Sequence, residues 1–380
     1  MQNKTIKEGQ VSIKIPDFEK VSSKAPVFYN PVMELNRDLS VIALNHYQKV
    51  LGNPLNICDA FGGSGIRGIR YSKEVNSHKI VTNDVNPRAV DFAHENVDLN
   101  KVYNVTVCQE DANLLLRKCK GIFDVVDIDP FGTPSYFIES AAISLKSGGL
   151  LCVSATDTSS LCGTYKNPCI RKYSSKPLKT EYCHEIGIRI LAGFIARVFA
   201  KYKKSIDIKF SHSTEHYMRM YITIDKGAEI TDQSLKEVGF ILHCDKCLNR
   251  ELAKGFAPFI PSECPVCGSK YGVAGPLWCD KIFNSDFITG MLNITADIVI
   301  NKRREACKLL NRCNDESMGP PTFFDLHQIS KKLKISAPPL DKVLNELIKE
   351  GYFASRTHFK PTGIRTDASI EILDKIVLGI

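Results

Sequence analysis

Leu55-Asn56-Ile57-Cys58-Asp59-Ala60-Phe61-Gly62-Gly63-Ser64-Gly65-Ile66-Arg67-Gly68 is the stretch on which the fold turns. An apolar run, Leu55–Cys58, reads as a buried strand; a glycine-rich turn and an amphipathic segment, Gly65–Val75, follow it. Glycine lets a backbone bend sharply and approach a ligand with no Cβ in the way. Gly63-x-Gly65-x-x-Gly68 matches the dinucleotide pattern in the strand–turn–helix setting that the pattern requires. The motif alone is weak. It gains weight from Asp84, which ends the next apolar run (Val81-Thr82-Asn83-Asp84) where a carboxylate can bind the two ribose hydroxyls of an adenosine. Nicotinamide and S-adenosylmethionine enzymes both use such an acid. Asp59 before the glycines and Asp111 at the end of a third run shift the balance. Adenosylmethionine carries a sulfonium and an amine rather than a pyrophosphate, so acids around the loop suit it better. Asp84 and Asp111 would serve equally as caps of the segments that follow them.

Outward from this loop the pattern repeats. Strands are expected at Leu55–Cys58, Lys79–Thr82, Val105–Cys108, Phe123–Ile128 and Leu150–Ala155. Helices are expected at Gly65–Val75, Pro87–Asn100, Ser135–Leu145 and Thr180–Lys203. Such alternation predicts an α/β fold with a parallel sheet covered on both faces; the adenosylmethionine reading of the loop makes it one of the class I (Rossmann-like) methyltransferase type. It occupies 1–226 together with an N-terminal extension holding a strand-like start and a helix from Leu35 to Leu51. Beyond it, 227–380 reads as a C-terminal α/β domain: cysteine knuckles in 240–270, a helix around Asp286–Asn311, and an end in 320–380 that reads as winged-helix-like, a plain helical packing domain fitting as well.

Asp129-Pro130-Phe131, which closes the run Phe123–Ile128, is the most informative motif. It resembles the Asp/Asn-Pro-Pro-Tyr/Phe loop of methyltransferases that modify planar amino groups. The amine of a nucleobase is a poor nucleophile because its lone pair is delocalised into the ring. The Asp129 carboxylate and the Pro130 carbonyl can accept both N–H bonds, steer the lone pair toward a sulfonium methyl and favour charge on nitrogen. Phe131 can stack on the base, and Pro130 fixes the bend without an N–H to compete. An ordinary strand-ending Asp-Pro turn is the simpler alternative. A base amine inside a folded RNA must first be extruded, which costs a few kcal/mol that phosphate contacts would have to offset.

Composition limits the partners. The 380 residues are 43% hydrophobic and 24% charged, which excludes disordered and collagen-like chains. No apolar run reaches the roughly 18–20 residues of a membrane helix, and Met1–Glu8 lacks a signal-peptide core, so a cytoplasmic location with no membrane contact is expected. No obligatory protein partner is indicated. The net charge of +8 permits a polyanionic partner. Eleven Lys/Arg against three Asp/Glu lie between Thr164 and Phe210, so that window equals the whole surplus. Arg171, Lys172, Lys176 and Lys179 are its candidate phosphate contacts, although on charge alone a solvated helix face fits as well. In the C-terminal part, Ser355–Pro361 has the basic–aromatic mix of a nucleic-acid-contacting loop through Arg356, His358 and Lys360, although a surface strand would look similar.

Fourteen cysteines in a reducing compartment read as metal ligands or small buried hydrophobes rather than disulfides. Cys244-x-x-Cys247 and Cys264-x-x-Cys267 are two knuckles separated by 16 residues, the spacing of a four-thiolate zinc site. Four protein ligands leave no open coordination position, so the zinc is expected to be structural.

Six stretches in order resemble one family. They are Phe28–Ser40 (Phe-Tyr-Asn-Pro-Val-Met-Glu-Leu-Asn-Arg-Asp-Leu-Ser), Asp59–Gly68, Asp129–Pro134, Glu185–Leu191, Gly275–Trp278 and Ser355–Asp367. The chain is similar in these to the tRNA guanine-26 N2,N2-dimethyltransferases, and its length suits their archaeal branch. The resemblance implies two-step methyl transfer from adenosylmethionine to N2 of guanine 26 in tRNA. It also implies that Arg37 and Arg67 line the cofactor site, Arg37 on the carboxylate side, with Phe28 nearby. Asp84 would hold the ribose, Asp111 and Ala112 the adenine edge, and Asp129 the target amine. An amino methyltransferase acting on another RNA or DNA base, an inactive zinc-containing tRNA-binding protein, and a nicotinamide dehydrogenase resting on the glycine loop alone are the competing readings.

Overall fold

The computed structural model describes residues 3–17, 27 and 29–380. The chain opens with a hairpin of β1 (Asn3–Glu8) and β2 (Val11–Pro16), then α1 (Glu34–Leu51) and β3 (Leu55–Asp59). Next come α2 (Ile66–Glu74), β4 (Ser77–Asn83), α3 (Pro87–Asn100), β5 (Val105–Cys108), α4 (Ala112–Lys118), β6 (Phe123–Ile128), α5 (Ile138–Ser144) and β7 (Leu145–Ala155). The middle of the chain supplies α6 (Thr158–Leu161), α7 (Lys166–Tyr173), α8 (Cys183–Ala200), β8 (Lys204–Thr214) and β9 (Tyr217–Lys226). The remainder supplies α9 (Ala228–Leu235), β10 (Val238–His243), β11 (Arg250–Lys254), β12 (Gly272–Trp278), α10 (Ser285–Ile294) and α11 (Arg303–Glu316). It closes with β13 (Phe324–Asp325), α12 (Leu326–Leu333), α13 (Leu340–Lys349), β14 (Ala354–Arg356), β15 (Gly363–Thr366) and α14 (Ile370–Gly379). Two compact units result: one from 1–155, 219–226 and 286–310, the other from 156–218, 227–285 and 311–380.

In the first unit the strands run in the order β5-β4-β3-β6-β7-β9. The pairs β3–β4, β4–β5, β3–β6 and β6–β7 are parallel, as the alternating pattern predicts. Every residue of β6 is buried, the signature of a strand covered on both faces. Chain direction across the sheet reverses between β3 and β6, and Asp59 pairs in register with Asp127 there. The loops that leave these two strands therefore emerge side by side, at the point where doubly wound sheets bind ligands. Gly68 lets α2 lie against β4: a Cβ there would stand 1.8 Å from Thr82 Oγ1. On the outer side of α2, Val11, Ile13 and Ile15 of β2 pack with Ile66, Ile69 and Val102.

Three local expectations change. Helix α4 forms although its apolar pattern is short, because Asp111 Oδ1 caps it by accepting from Leu114 N at 3.1 Å. Helix α7 carries no apolar stripe and buries only Cys169 and Tyr173, so periodicity does not reveal it. The single helix expected around Asp286–Asn311 is two, α10 and α11. Between them Thr295 Oγ1 donates back to Leu292 O at 2.6 Å, and β-branched Ile298-Val299-Ile300 disfavours continuation. Asp38 Oδ2 then accepts from Lys302 N at 2.8 Å just before α11 begins.

The second unit contains the antiparallel sheet β11-β10-β12 and the small antiparallel sheet β13-β15-β14. Around the latter, α12, α13 and α14 close a core of Ile329, Val343, Leu347, Ile364 and Leu373, with Leu333 and Leu340 packed against it. This is the helix–helix–hairpin order of a winged-helix unit. Helix α8 is buried along most of its length, and Glu185 near its start is fully buried. Glu185 bonds Arg365 at 2.8 Å, Arg189 at 2.8 Å and the Thr322 amide at 2.7 Å, so one carboxylate ties α8 to β15. Burial raises its pKa, but the Arg365 and Arg189 charges outweigh burial and hold the carboxyl at about 2.

Glu185→Ala leaves two buried guanidiniums short of a partner and should cost about 3–5 kcal/mol in urea unfolding. Because the native pKa lies below the unfolded value, the Glu185 contribution is complete above pH ~4.5 and lost as pH falls toward ~2. Wild-type stability should therefore fall more steeply over that window than that of Glu185→Gln.

Candidate active site and metal centre

Asp129 follows β6 on a turn whose Pro130 is buried and whose Phe131 is 54% exposed. Its Oδ2 is held by Arg67 Nη2 of α2. Arg67 is itself buried and also donates to Asn36 Oδ1 at 3.0 Å and Ser40 Oγ at 3.1 Å, both on α1. Behind it lies Asp127, fully buried, which accepts from Arg219 of β9 at 2.8 and 2.7 Å and from Tyr71 Oη at 2.6 Å. Burial would raise the Asp127 pKa; the Arg219 and Arg67 charges outweigh it and hold the carboxyl below its usual range. The result is a row of alternating charges, Arg219–Asp127–Arg67–Asp129, with only its last member at the surface.

This row was not legible in the pattern of motifs. Arg219 offers one signal: an arginine inside the apolar strand Tyr217-Met218-Arg219-Met220-Tyr221 must meet a buried acid. Ser40, Asn36 and Tyr71 offer none.

The glycine loop joins the same end of the sheet. Asp84 Oδ2 accepts from Gly63 N at 2.9 Å and its Oδ1 from Asn86 N at 2.9 Å, so the acid braces both the loop and the turn leading into α3, which Asn86 caps. Gly65 starts α2, and Asp111, exposed, caps α4 with buried Ala112 beside it. Asp59 is 1% exposed, and its Oδ2 has no hydrogen-bond partner among the described residues. Burial, aided by the neighbouring Asp127 and Asp129 charges and opposed by Arg67, pushes its pKa up to about 7. An orphaned acceptor under a glycine loop suits a cationic ligand there and would repel a pyrophosphate.

Two arginines that the resemblance assigns to the cofactor site already have protein partners. Arg37 lies with its guanidinium on Glu8 at 2.6 and 2.7 Å and on Asn30 O at 3.1 Å, over the Tyr29 ring. Its charge is therefore already matched by a buried acid from the N-terminal hairpin. Arg67 reaches the Asp129 carboxylate. Phe28 lies outside the described residues.

In the second unit Cys244, Cys247, Cys264 and Cys267 converge, all four sulfurs lying within 4.8 Å of one another. The Sγ separations of 3.4 Å (Cys244–Cys267) and 3.5 Å (Cys247–Cys264) approach the ~3.8 Å edge of a tetrahedron with Zn–S of about 2.3 Å. Each knuckle repeats the same backbone turn: Leu248 N donates to Cys244 O and Gly268 N to Cys264 O, both at 2.8 Å. The four thiols fit a structural Zn²⁺ with no position left open.

The candidate RNA contacts divide. Arg171, Lys176 and Lys179 are exposed; Lys172 is half-buried and pairs with Asp157 at 3.1 Å. Of the window's other cations, Arg189 is buried on Glu185, Arg197 caps the Tyr173 and Gly193 carbonyls, and Lys204 is buried, so the surface surplus is smaller than the count suggests. Arg356 pairs with Asp341 and Lys360 with Asp325. His358 does not face solvent. Its side chain is 1% exposed, with Nδ1 on Glu316 Oε1 at 2.6 Å and Nε2 accepting from Ser213 N at 3.3 Å. The Glu316 carboxylate draws the ring inward, so its place is in the core of this unit.

The fold and the Asp129 turn beside the glycine loop put the chain among the class I (Rossmann-like) methyltransferases for planar amino groups. The comparisons narrow this. The family described as TRM, N2,N2-dimethylguanosine tRNA methyltransferase, matches residues 9–378, and the chain belongs to that family. A tRNA (guanine(26)-N(2))-dimethyltransferase of Methanosphaera stadtmanae is 54% identical over 381 residues, covering 100% of this chain and 98% of the relative. Its counterpart in Methanobrevibacter smithii is 52% identical, covering 98% and 97%. Trm1 from Pyrococcus horikoshii, solved with S-adenosyl-L-methionine, superposes with a TM-score of 0.89 at 34% identity, over 98% of this chain and 99% of that one.

The strained Asp59 gives a stability prediction. A carboxyl whose native pKa is raised loses stability as pH rises from ~4 to ~7, because the fold must then hold it ionised. Asp59→Asn should raise the unfolding free energy in urea above pH 7, by at most about 4 kcal/mol, and leave it unchanged near pH 4. Equal shifts at both pH values would refute the assignment.

Proposed function

We propose that the chain transfers one and then two methyl groups from S-adenosylmethionine to the exocyclic N2 of guanine 26 in tRNA. The products are N2-methyl- and N2,N2-dimethylguanosine. The observation that carries the reading is the Asp129-Pro130-Phe131 turn with Arg67 pinning Asp129 Oδ2. Relatives of 52–54% identity that span the whole chain bear the same activity in their names.

Adenosylmethionine, when bound, supplies an electrophilic methyl on a sulfonium. The Asp59 carboxylate and the glycine loop would hold its cationic end, with Asp84 toward the ribose and Asp111–Ala112 toward the adenine edge. Asp129 Oδ1, the oxygen that Arg67 does not hold, would accept one N–H of guanine N2, and the Pro130 carbonyl the other. With both N–H bonds held, the nitrogen lone pair points away from the acceptors toward the methyl, an orientation effect. Positive charge growing on N2 is met by the Asp129 carboxylate, which then takes the proton. One N–H remains after the first transfer, so the same acceptor serves the second. Phe131 would stack on the extruded base. Arg171, Lys172, Lys176 and Lys179, with Arg356 and Lys360, would contact the tRNA backbone and offset the extrusion cost. No helix among the described residues is long and apolar enough to cross a membrane, and the fourteen free cysteines accord with a cytoplasmic location.

The test is methyl transfer from labelled adenosylmethionine to tRNA transcripts carrying guanine or adenine at position 26. Only the guanine transcript should be labelled, with two methyls per molecule at completion by nucleoside mass spectrometry. Asp129→Ala should lower kcat by roughly 10²–10³-fold while tRNA affinity changes little. Equal labelling of both transcripts, or full turnover by Asp129→Ala, would sink the proposal.

A further inference from the structure

A second cluster of metal-ligating side chains lies in the second unit, apart from the knuckles. Cys162 follows α6 as its C-cap and is 8% exposed. Cys183 is the first residue of α8, and His184 is the second. The two thiols and a ring nitrogen lie within 4.8 Å of one another. Cys183 Sγ stands 3.9 Å from His184 Nδ1. Ligand atoms around a tetrahedral zinc, with Zn–S about 2.3 Å and Zn–N about 2.0 Å, stand about 3.5–3.8 Å apart.

We infer that Cys162, Cys183 and His184 form a second transition-metal site that binds a thiophilic divalent ion such as Zn²⁺. Two thiolates neutralise the dication, and the sulfur–imidazole set excludes Mg²⁺ and Ca²⁺, which take oxygen ligands. Cys162 is buried while His184 is exposed, so the fourth position faces solvent and takes water. Lys360, the cation whose charge reaches His184, is itself paired with Asp325 at 2.7 Å.

The place of this site in the chain gives it a task. Cys162 and Cys183 stand at the two ends of the excursion 163–182, which carries Lys166, Arg171, Lys172, Lys176 and Lys179. Just inside the first end the two arms already meet: a Cβ on Gly163 would stand 3.0 Å from the Leu178 and Lys179 backbone. A metal at the base clips the excursion closed and restricts how far its five cations can move, as any cross-link does for the loop it closes. That these cations contact tRNA rests on the function proposed above; the metal site does not.

Titration of the metal-free full chain with Co²⁺, read by thiolate-to-cobalt charge transfer, should give two equivalents, one at the knuckles and one here. His184→Ala, a surface change that leaves the knuckles and the core intact, and Cys183→Ser should each bind one. In zinc-loaded protein, trypsin should cut within 163–182 at least tenfold faster in His184→Ala than in wild type, with the fragments located by mass spectrometry. A wild-type stoichiometry of one, or a second equivalent retained in either variant, would overturn the site. Unchanged cleavage would overturn the clip.

Discussion

The pairing of Asp127 with Arg219 and Arg67 is the constraint around which the first unit is arranged. Two guanidiniums and a carboxylate, all buried, can be held only if each is matched and hydrogen-bonded. Arg219 gives Asp127 two bonds, Tyr71 gives a third, and Ser40 accepts from both arginines. Four elements that are distant in sequence, α1, α2, β6 and β9, meet on these groups. Net charge at the core then leaves Arg67 with a valence to spare, and Asp129 takes it. The acid that would handle the substrate amine is thus positioned from behind by the framework that also holds the sheet together.

The second unit solves a similar problem in another place. Glu185 and Glu316 share Arg365, and His358 completes the Glu316 partners. Several charged residues within the family-like stretches Glu185–Leu191 and Ser355–Asp367 are occupied in this way. Conspicuous cations and histidines in those stretches hold the winged-helix end together, so fewer remain to meet RNA than composition implied. Lysines around 166–179, which no buried acid claims except at Lys172, keep their charge at the surface.

The parallel sheet, the glycine loop and the zinc knuckles could be read from residues alone because each is local. A strand buried on both faces needs a continuous apolar run, a turn against a helix needs glycine where a Cβ would strike Thr82, and a knuckle needs two cysteines two residues apart. Helix α7 escaped because it packs by two residues rather than by a stripe, and the break between α10 and α11 because a threonine hydroxyl competes with the backbone. Arg37 is the instructive case. Nothing in its motif shows that Glu8, nearly thirty positions earlier, holds its guanidinium.

What the order of amino acids settled was the sheet, the adenosine-type loop, the Asp129 turn and the four-thiolate metal site. These depend on contacts within a few residues, or on spacings that chemistry fixes. Partner choice among buried charges was decided by folding alone. Any of several acids could have met Arg67 or Arg37, and which one did follows from strand order and register, which bring Asp59 beside Asp127 and leave Asp129 just beyond it. A charge in a low-dielectric interior must take whatever partner the topology delivers, and that delivery is invisible in one dimension.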